Sequence, residues 1–344
     1  MEIRAPSKGR GLRQKLSAMY GFLSALMIAP LVLCASETAS AQEYPVKPIT
    51  IKVAFPAGGP ADAAIRAANV VLQRSLGQPL VSENVPGATG SISAMAVLNA
   101  NPDGYTLLGT TGSDFVVAPF TVVSAKYQPE SFRLLGIVGM SDFVLVSSPA
   151  HSFKNIDELI DYAKKPGNKE LSLGHWGKGS TAHIVGADFQ GRTGTTFLEV
   201  PYKGVAPALS DIIGGHLDLT FAPLGGSTLD LIRAGKVKAI AVASAQRNPG
   251  LADVPTINES AKLGNFEYSI WTALFAPPKT PEPIVVRLNA ALNDWTKSPD
   301  NLARIKLNAS RWTDPMSLTQ AAAFFKGEQE KFNAVARSLK LELQ

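Results

Sequence analysis

The chain has 344 residues, 45% of them hydrophobic and 18% charged, with a formal net charge of +5. That length predicts two domains with a core each, and the composition excludes disordered and fibrous classes. The basic excess is concentrated at the N-terminus, so it does not point to nucleic acid.

Arg4, Lys8, Arg10, Arg13 and Lys15 form a basic head, Leu16 to Leu33 is an apolar stretch, and Ala39-Ser40-Ala41 is an A-x-A cleavage pattern. Together they read as an export signal over residues 1–41, with cleavage after Ala41 and a periplasmic destination. A membrane anchor is the alternative, but Ser17, Gly21, Ser24 and Pro30 interrupt a stretch that would need about 20 strongly apolar residues to span. Removing five basic and two acidic residues lowers the charge by three, from +5 to +2. Cys34, the only cysteine, leaves with the signal, so the mature chain is expected to carry no disulfide and no cysteine metal ligand.

"ITIKVAF" (49–55) predicts a strand, and 60–76 a helix with Ile65, Ala68, Leu72 and Leu76 on one face. "PLVSENV" (79–85) predicts a second strand. "PGATGSISAMAVLNA" follows as a glycine turn feeding a small-residue helix, and "YTLLGTT" (105–111) is a third strand ending in "GSD". From about residue 140 the alternation restarts. Strands "DFVLVSS" (142–148), "LSLGHW" (171–176), "TFLEVPY" (196–202), "LDLTFAP" (217–223) and "VKAIAVAS" (237–244) are separated by helices over 155–165, 180–192, 205–214 and 226–235. The strand "YSIWTALFAPP" (268–278) and helices over 281–296 and 317–339 make a poor core of their own, so they are expected to return to the first unit. The expected fold class is α/β with two domains, 42–140 with 249–344 and 141–248, each a mostly parallel sheet flanked by helices.

The strand-to-helix corners carry the candidate chemistry. In "VAFPAGGPAD" (53–62), Gly58-Gly59 turns the chain and Pro60 fits the first helical position, leaving the amides of Ala61 and Asp62 at an anion-attracting N-terminus. The device recurs at 86–91, 110–114, 177–181 and 201–207, always after a predicted strand. In an open parallel sheet such corners surround a crevice at the carboxyl ends of the strands. Any one of them alone is also what an ordinary α/β turn carries. There is no G-x-S-x-G, no phosphate loop and no H-E-x-x-H, and His151, His175, His183 and His216 lack metal spacing, so no metal and no cofactor is expected. Ser180 and His183 sit three apart on one helical turn, which does not supply the in-line base and oriented acid of a triad. His183 equally fits a neutral core imidazole, and Asp62 a partner of the helix dipole. No enzyme is expected.

The stretches "YPVKPITIKVAFPAGGPAD", "SENVPGATGSISA", "NPDGYTLLGTT", "GKGSTAHI", "VPYKGVAPALSDIIGGHLDLTFAP", "RAGKVKAIAVASAQR" and "WTALFAPPKTPEPIVVRLN" are similar, in this order, to the Bug (Bordetella uptake gene) proteins. These are the extracytoplasmic solute receptors of tripartite tricarboxylate transporters, and the resemblance covers residues 44–344. It implies a monomeric type II periplasmic binding protein, a flytrap that closes on a small organic anion, a mono- or dicarboxylate, and delivers it to cognate membrane permease subunits. In the family the ligand carboxylate is held, partly through water, by amides and hydroxyls of the first strand-to-helix loop.

Carried over by position, the resemblance implies ligand-binding roles for Phe55, Ala57, Gly58, Gly59, Ala61 and Asp62 in the first loop. Thr89 and Ser91 follow in the second loop, and Thr111, Ser113 and Asp114 in the third. Lys178, Ser180, Thr181 and His183 form the second-domain corner, and Tyr202 belongs to the Y-K-G turn. The chain departs from the family where Pro60 and Ala61 remove an amide donor and a hydroxyl, and where Ala222 stands in place of a polar residue. Trp176, where relatives carry a small residue, either lines the cleft and stacks on a flat ligand or packs at the domain hinge. The alternatives are a ligand-sensing subunit for a membrane signalling partner and a secreted α/β hydrolase using Ser180 and His183.

Overall fold

The computed structural model describes residues 1–2 and 44–338. The expected export signal, its cleavage site and Cys34 lie outside the described residues. The chain divides into two compact units, Met1–Tyr44 and Pro45–Gln344, and the fold below is that of the second.

Nine strands and ten α-helices alternate among the described residues. β1 (Ile49–Val53), α1 (Pro60–Leu76), β2 (Leu80–Asn84), α2 (Ser91–Leu98), β3 (Thr106–Thr111) and α3 (Gly112–Thr121) lead to β4 (Arg133–Ser147). Then come α4 (Ile156–Lys164), β5 (Ser172–His175), α5 (Thr181–Thr193), β6 (Leu198–Pro201), α6 (Val205–Gly214), β7 (Leu219–Pro223), α7 (Ser227–Arg233) and β8 (Lys238–Val242). The chain ends in β9 (Ser269–Ala276), α8 (Glu282–Lys297), α9 (Pro299–Asn308) and α10 (Leu318–Ser338).

The strand order is β2-β1-β3-β9-β4-β7-β5-β6, with β8 also on β4. β4 is the member common to two sheets. Its first part, Arg133 to Asp142, runs antiparallel to β9, and its second part, Phe143 to Ser147, runs antiparallel to β7 and β8. β9 also pairs antiparallel with β3. The sheets are therefore mixed, with the parallel pairs confined to β1–β2, β1–β3, β5–β6 and β5–β7. The expectation of mostly parallel sheets is corrected by these two strands: one strand that threads both sheets, and one that comes back between β3 and β4, run against their neighbours.

Three elements were not legible in the sequence. The first part of β4, "RLLGIVGM", carries register shifts at Leu134/Gly136 and Ile137/Gly139, which break the period-two pattern. α3 is built from "GSDFVVAPFT", rich in β-branched and aromatic residues and holding Pro119 inside, so burial and not propensity makes it a helix. α9 is a polar helix started by Ser298, whose side chain accepts from the Asn301 amide, with Pro299 at its first position.

The main core lies between the sheets and the helices over them. Phe115 of α3 stacks on Tyr127 with ring centroids 5.0 Å apart and meets Phe275 of β9 at 4.9 Å. Gly112 opens α3 against the ring of Trp271: a Cβ there would lie 2.0 Å from the indole, so no larger residue fits without moving the tryptophan. In the other half Phe189, Phe221 and Phe266 pack edge to face or tilted, 5.7–6.0 Å apart.

Candidate functional site

The corners after β1, β2 and β3 converge. The point where a Cβ on Gly90 would lie is 3.1 Å from Ala54 Cβ and 3.4 Å from Thr110 Oγ1, so the heads of α1, α2 and α3 open onto one region. Gly90 itself has φ +86, a conformation that suits glycine.

The first corner is shaped by Asp62, which is 2% exposed. Its carboxylate accepts from the Gly58 amide at 2.9 Å, from Arg66 Nε at 2.9 Å and from Asn84 Nδ2 at 2.8 Å. Asn84 also donates to the Phe55 carbonyl at 2.9 Å and accepts from Arg66 Nη2 at 2.8 Å. Burial pushes the Asp62 carboxyl up, but Arg66, Asn84 and the Gly58 amide together hold it below its ordinary value. Asp62 and the Gly58 amide are thus engaged with each other, and the Gly59 amide turns back to Pro56 O at 3.3 Å. Phe55 is half-buried and Ala57 exposed. The amides of Ala61 and Asp62 head α1 with no acceptor among the described residues. Arg66 and Asn84 escaped the sequence reading, because their role depends on the parallel register that sets Val53 beside Asn84.

In the second corner Thr89 sits in the left-handed region (φ +53) and is half-buried. Ser91, 1% exposed at the head of α2, has a hydroxyl with no hydrogen-bond partner among the described residues. A buried hydroxyl left unpaired is unfavourable unless a guest completes it.

The third and fourth corners meet directly. Asp114, fully buried, accepts from Thr111 Oγ1 at 2.7 Å, from the Thr181 amide at 2.7 Å and from Thr181 Oγ1 at 2.5 Å. Thr181 Oγ1 is also 2.9 Å from Ser113 Oγ. Burial raises the Asp114 carboxyl against the pull of these donors. Trp176 is half-buried and stacks on Phe143 with centroids 6.0 Å apart and planes 14° apart. Phe143 is where β4 passes from one sheet to the other, so one face of the indole is taken at that changeover.

Around α5 several donors are met from within, while the Ala182 amide has no acceptor among the described residues. Ser180 Oγ accepts from the His183 amide at 3.3 Å, and the Ser180 amide turns to Gly177 O at 3.1 Å. The Gly179 amide donates to His183 Nδ1 at 3.0 Å and the Gly177 amide to His175 Nδ1 at 3.2 Å. His183 Nε2 faces Glu199 Oε2 at 3.4 Å, and this bond holds the Glu199 carboxyl below its ordinary value. Burial first and the neighbouring His183 second push His175 down to about 4. His175, His183 and Glu199 bring ligand-type atoms within 4.8 Å of one another, the grouping that could hold a metal ion. Both Nδ1 lone pairs, however, serve the corner amides, so in this arrangement the outward Nε2 atoms carry hydrogens. Neither ring nitrogen of His183 is bonded to Ser180 Oγ, and the pair lacks the link between nucleophile and base. Sequence spacing did not bring these three residues together; the β5–β6 register, Leu173 beside Glu199 and His175 beside Pro201, does.

Two expected residues lie elsewhere. Ala222 is fully buried in the apolar cluster of Val144, Leu209 and Leu224, because alternation along β7 turns it to the face opposite Phe221. Tyr202, half-buried, donates its hydroxyl to Asp211 at 2.8 Å, and burial with that neighbour pushes it up to about 12. Lys178 is exposed.

Residues 64–341 match the model of the tripartite tricarboxylate transporter family receptor. The chain is 34% identical over 314 residues to Protein BugT of Bordetella pertussis, a match covering 89% of this chain and 93% of BugT. Among solved structures it resembles MatC of Rhodopseudomonas palustris with bound malate, at 29% identity and TM-score 0.78, over 85% of this chain and all of that one. It also resembles an R. palustris protein with adipate, at 27% identity and TM-score 0.80, over 88% of this chain and all of that one.

Proposed function

The chain belongs to the tripartite tricarboxylate transporter receptor family, and from that we propose that it is a periplasmic receptor that captures a small organic carboxylate and hands it to membrane permease subunits. The bound malate and adipate of its structural neighbours support a carboxylic acid as ligand. The observation that carries the reading is the Ser91 hydroxyl, buried and unpartnered where the first three corners converge. With the unengaged amides of Ala61 and Asp62 it forms a donor set at helix N-termini, the environment in which a carboxylate is stable. Pro60 and Ala61 remove an amide and a hydroxyl from the loop, but Ser91 and the α1 amides remain.

The receptor moves as two lobes, 42–140 with 249–344 and 141–248, about the changeover in β4. Asp142 marks this point: Arg311 Nη2 sits 2.6 Å from its carboxylate, and the Arg311 amide donates to Met140 O at 2.9 Å. A ligand touching both lobes favours the shut form by population shift. Catalysis by Ser180 and His183 is not part of this reading, since the two are not hydrogen-bonded as nucleophile and base.

A thermal-shift screen of the purified protein, unfolded and refolded to strip ligand, tests the reading with mono-, di- and tricarboxylates. At 100 times its dissociation constant a ligand stabilises the native state by about 2.7 kcal/mol, a raised midpoint. Ser91→Ala is expected to reduce that rise. A flat midpoint with every acid overturns the reading.

A further inference from the structure

Arg304 of α9 carries a charge that nothing among the described residues offsets. It is half-buried, and its Nη1 lies 3.3 Å from the point where a Cβ on Gly139 of β4 would sit, with Ala64 Cβ of α1 4.0 Å from the same point. The guanidinium therefore enters between β4 and the first turns of α1, in room that a side chain at position 139 would contest. Its height is that of the corners, because Thr272 of β9 pairs with Gly139 on one side and with Thr111, the last residue of β3, on the other. Arg66 and Arg311 are both offset, the first by Asp62 at 2.9 Å and the second by Asp142 at 2.6 Å. Arg304 has neither a hydrogen bond nor a carboxylate partner among the described residues, and burial alone acts on its charge, pulling its pKa down.

Resting on the receptor reading above, we propose that Arg304 is a specificity-determining residue of the carboxylate site, the counter-charge that makes the receptor take ionised acids and pass over their uncharged amides. The open donors at that end are the Ala61 and Asp62 amides and the Ser91 hydroxyl, which is 1% exposed and unpartnered among the described residues. Those donors also satisfy a neutral carbonyl, so a full positive charge is what reads ionisation. Asp62 and Arg66 cancel as a pair, which leaves the Arg304 charge in surplus beside the head of α1. A cation drawn partly out of water without a partner destabilises the free protein. A carboxylate seated on the α1 amides supplies the missing partner, and the low dielectric that makes the lone charge unfavourable strengthens the attraction.

The test is calorimetric titration of the purified protein with butanoate, succinate, citrate and benzoate, each against its amide, in the wild type, Arg304→Met and Arg304→Lys. The wild type is expected to bind the preferred acid at least tenfold more tightly than its amide. Arg304→Met keeps the length of the alkyl stem and is expected to lose at least tenfold in affinity for that acid, whereas Arg304→Lys, which keeps the charge, retains the greater part. Urea unfolding of ligand-free Arg304→Met gives a readout that a purely structural arginine would move the other way: removal of an unpaired charge is expected to raise the midpoint. Unchanged acid affinity in Arg304→Met overturns the inference and leaves the receptor reading intact. Equal losses in the two variants also overturn it, since the charge would then not be what matters. So does a lowered midpoint, which would make any loss of binding the result of a damaged fold. No heat with any of the four acids sinks the receptor reading, and this inference with it.

Discussion

Gly179 stands directly over Thr121: a Cβ on Gly179 would come within 2.1 Å of Thr121 Oγ1 and 2.2 Å of its Cβ. The glycine belongs to the loop before α5 and the threonine is the last residue of α3, so the two halves touch at van der Waals distance where their corners meet. Gly179 also has φ +75, which an L side chain adopts only under strain. Gly179→Ala is therefore expected to lower stability by about 2–4 kcal/mol, from overpacking and backbone strain together. Urea unfolding followed by circular dichroism measures it, and a loss below about 0.5 kcal/mol would contradict the contact.

Asp62 holds the first corner in shape through Gly58, Arg66 and Asn84. Asp62→Ala frees all three donors and is expected to cost about 2–3 kcal/mol. It should also weaken carboxylate binding at least tenfold, since the α1 amides lose their fixed direction. Because the folded carboxyl is held below 3.8, its contribution is present above that pH and disappears as the pH falls through the folded value. Calorimetry at pH 7 that finds Asp62→Ala binding as the wild type does would remove Asp62 from the site's support.

His175 gives the fold a pH dependence of the same sign in a higher window. An imidazole in the unfolded chain takes its proton near 6.5, whereas the buried ring resists it until about 4. Between those values the unfolded chain binds more protons, so stability declines as pH is lowered from about 6.5 to about 4 and levels off below. The full decline attributable to this ring is about 3 kcal/mol. His175→Asn, whose Oδ1 can accept the Gly177 amide, is expected to flatten that part of the profile. Chemical denaturation at intervals from pH 4 to 7 would show it, and parallel curves for variant and wild type would refute the assignment.

Trp176→Phe keeps a ring on Phe143, so its loss in stability is expected to stay below about 1 kcal/mol. Replacement by Ala should cost more, because the stack goes. Equal losses in the two variants would mean that the ring's packing contributes nothing.

The alternation of strands and helices was legible wherever apolar residues kept a regular period, as in "ITIKVAF" and the face of Ile65, Ala68, Leu72 and Leu76. The return of β9 was legible from the weakness of the tail as a core of its own. What failed were the elements whose identity comes from tertiary burial, α3 above all, and the strand directions around β4. In the site, the glycine corners were visible because strand-to-helix turns leave a chemical signature. Whether a corner's donors are open or engaged was not visible. Asp114 and Thr181 lie 67 residues apart, and no local pattern announces that one completes the other. Ala222 shows the sharpest limit: one step along β7 decides between cleft and core, and only strand register fixes that step.

The strand common to both sheets also bears on how the chain acquires its structure. Arg133 meets Ala276 and Asp142 meets Ser269, so the first sheet lacks an inner strand until nearly the whole chain is available. Pairings of such long sequence separation carry a large closure entropy and slow the approach to the native state. The first sheet is thus expected to close only after β9 has been made, later than the sheet of β4 to β8, whose strands all precede residue 243.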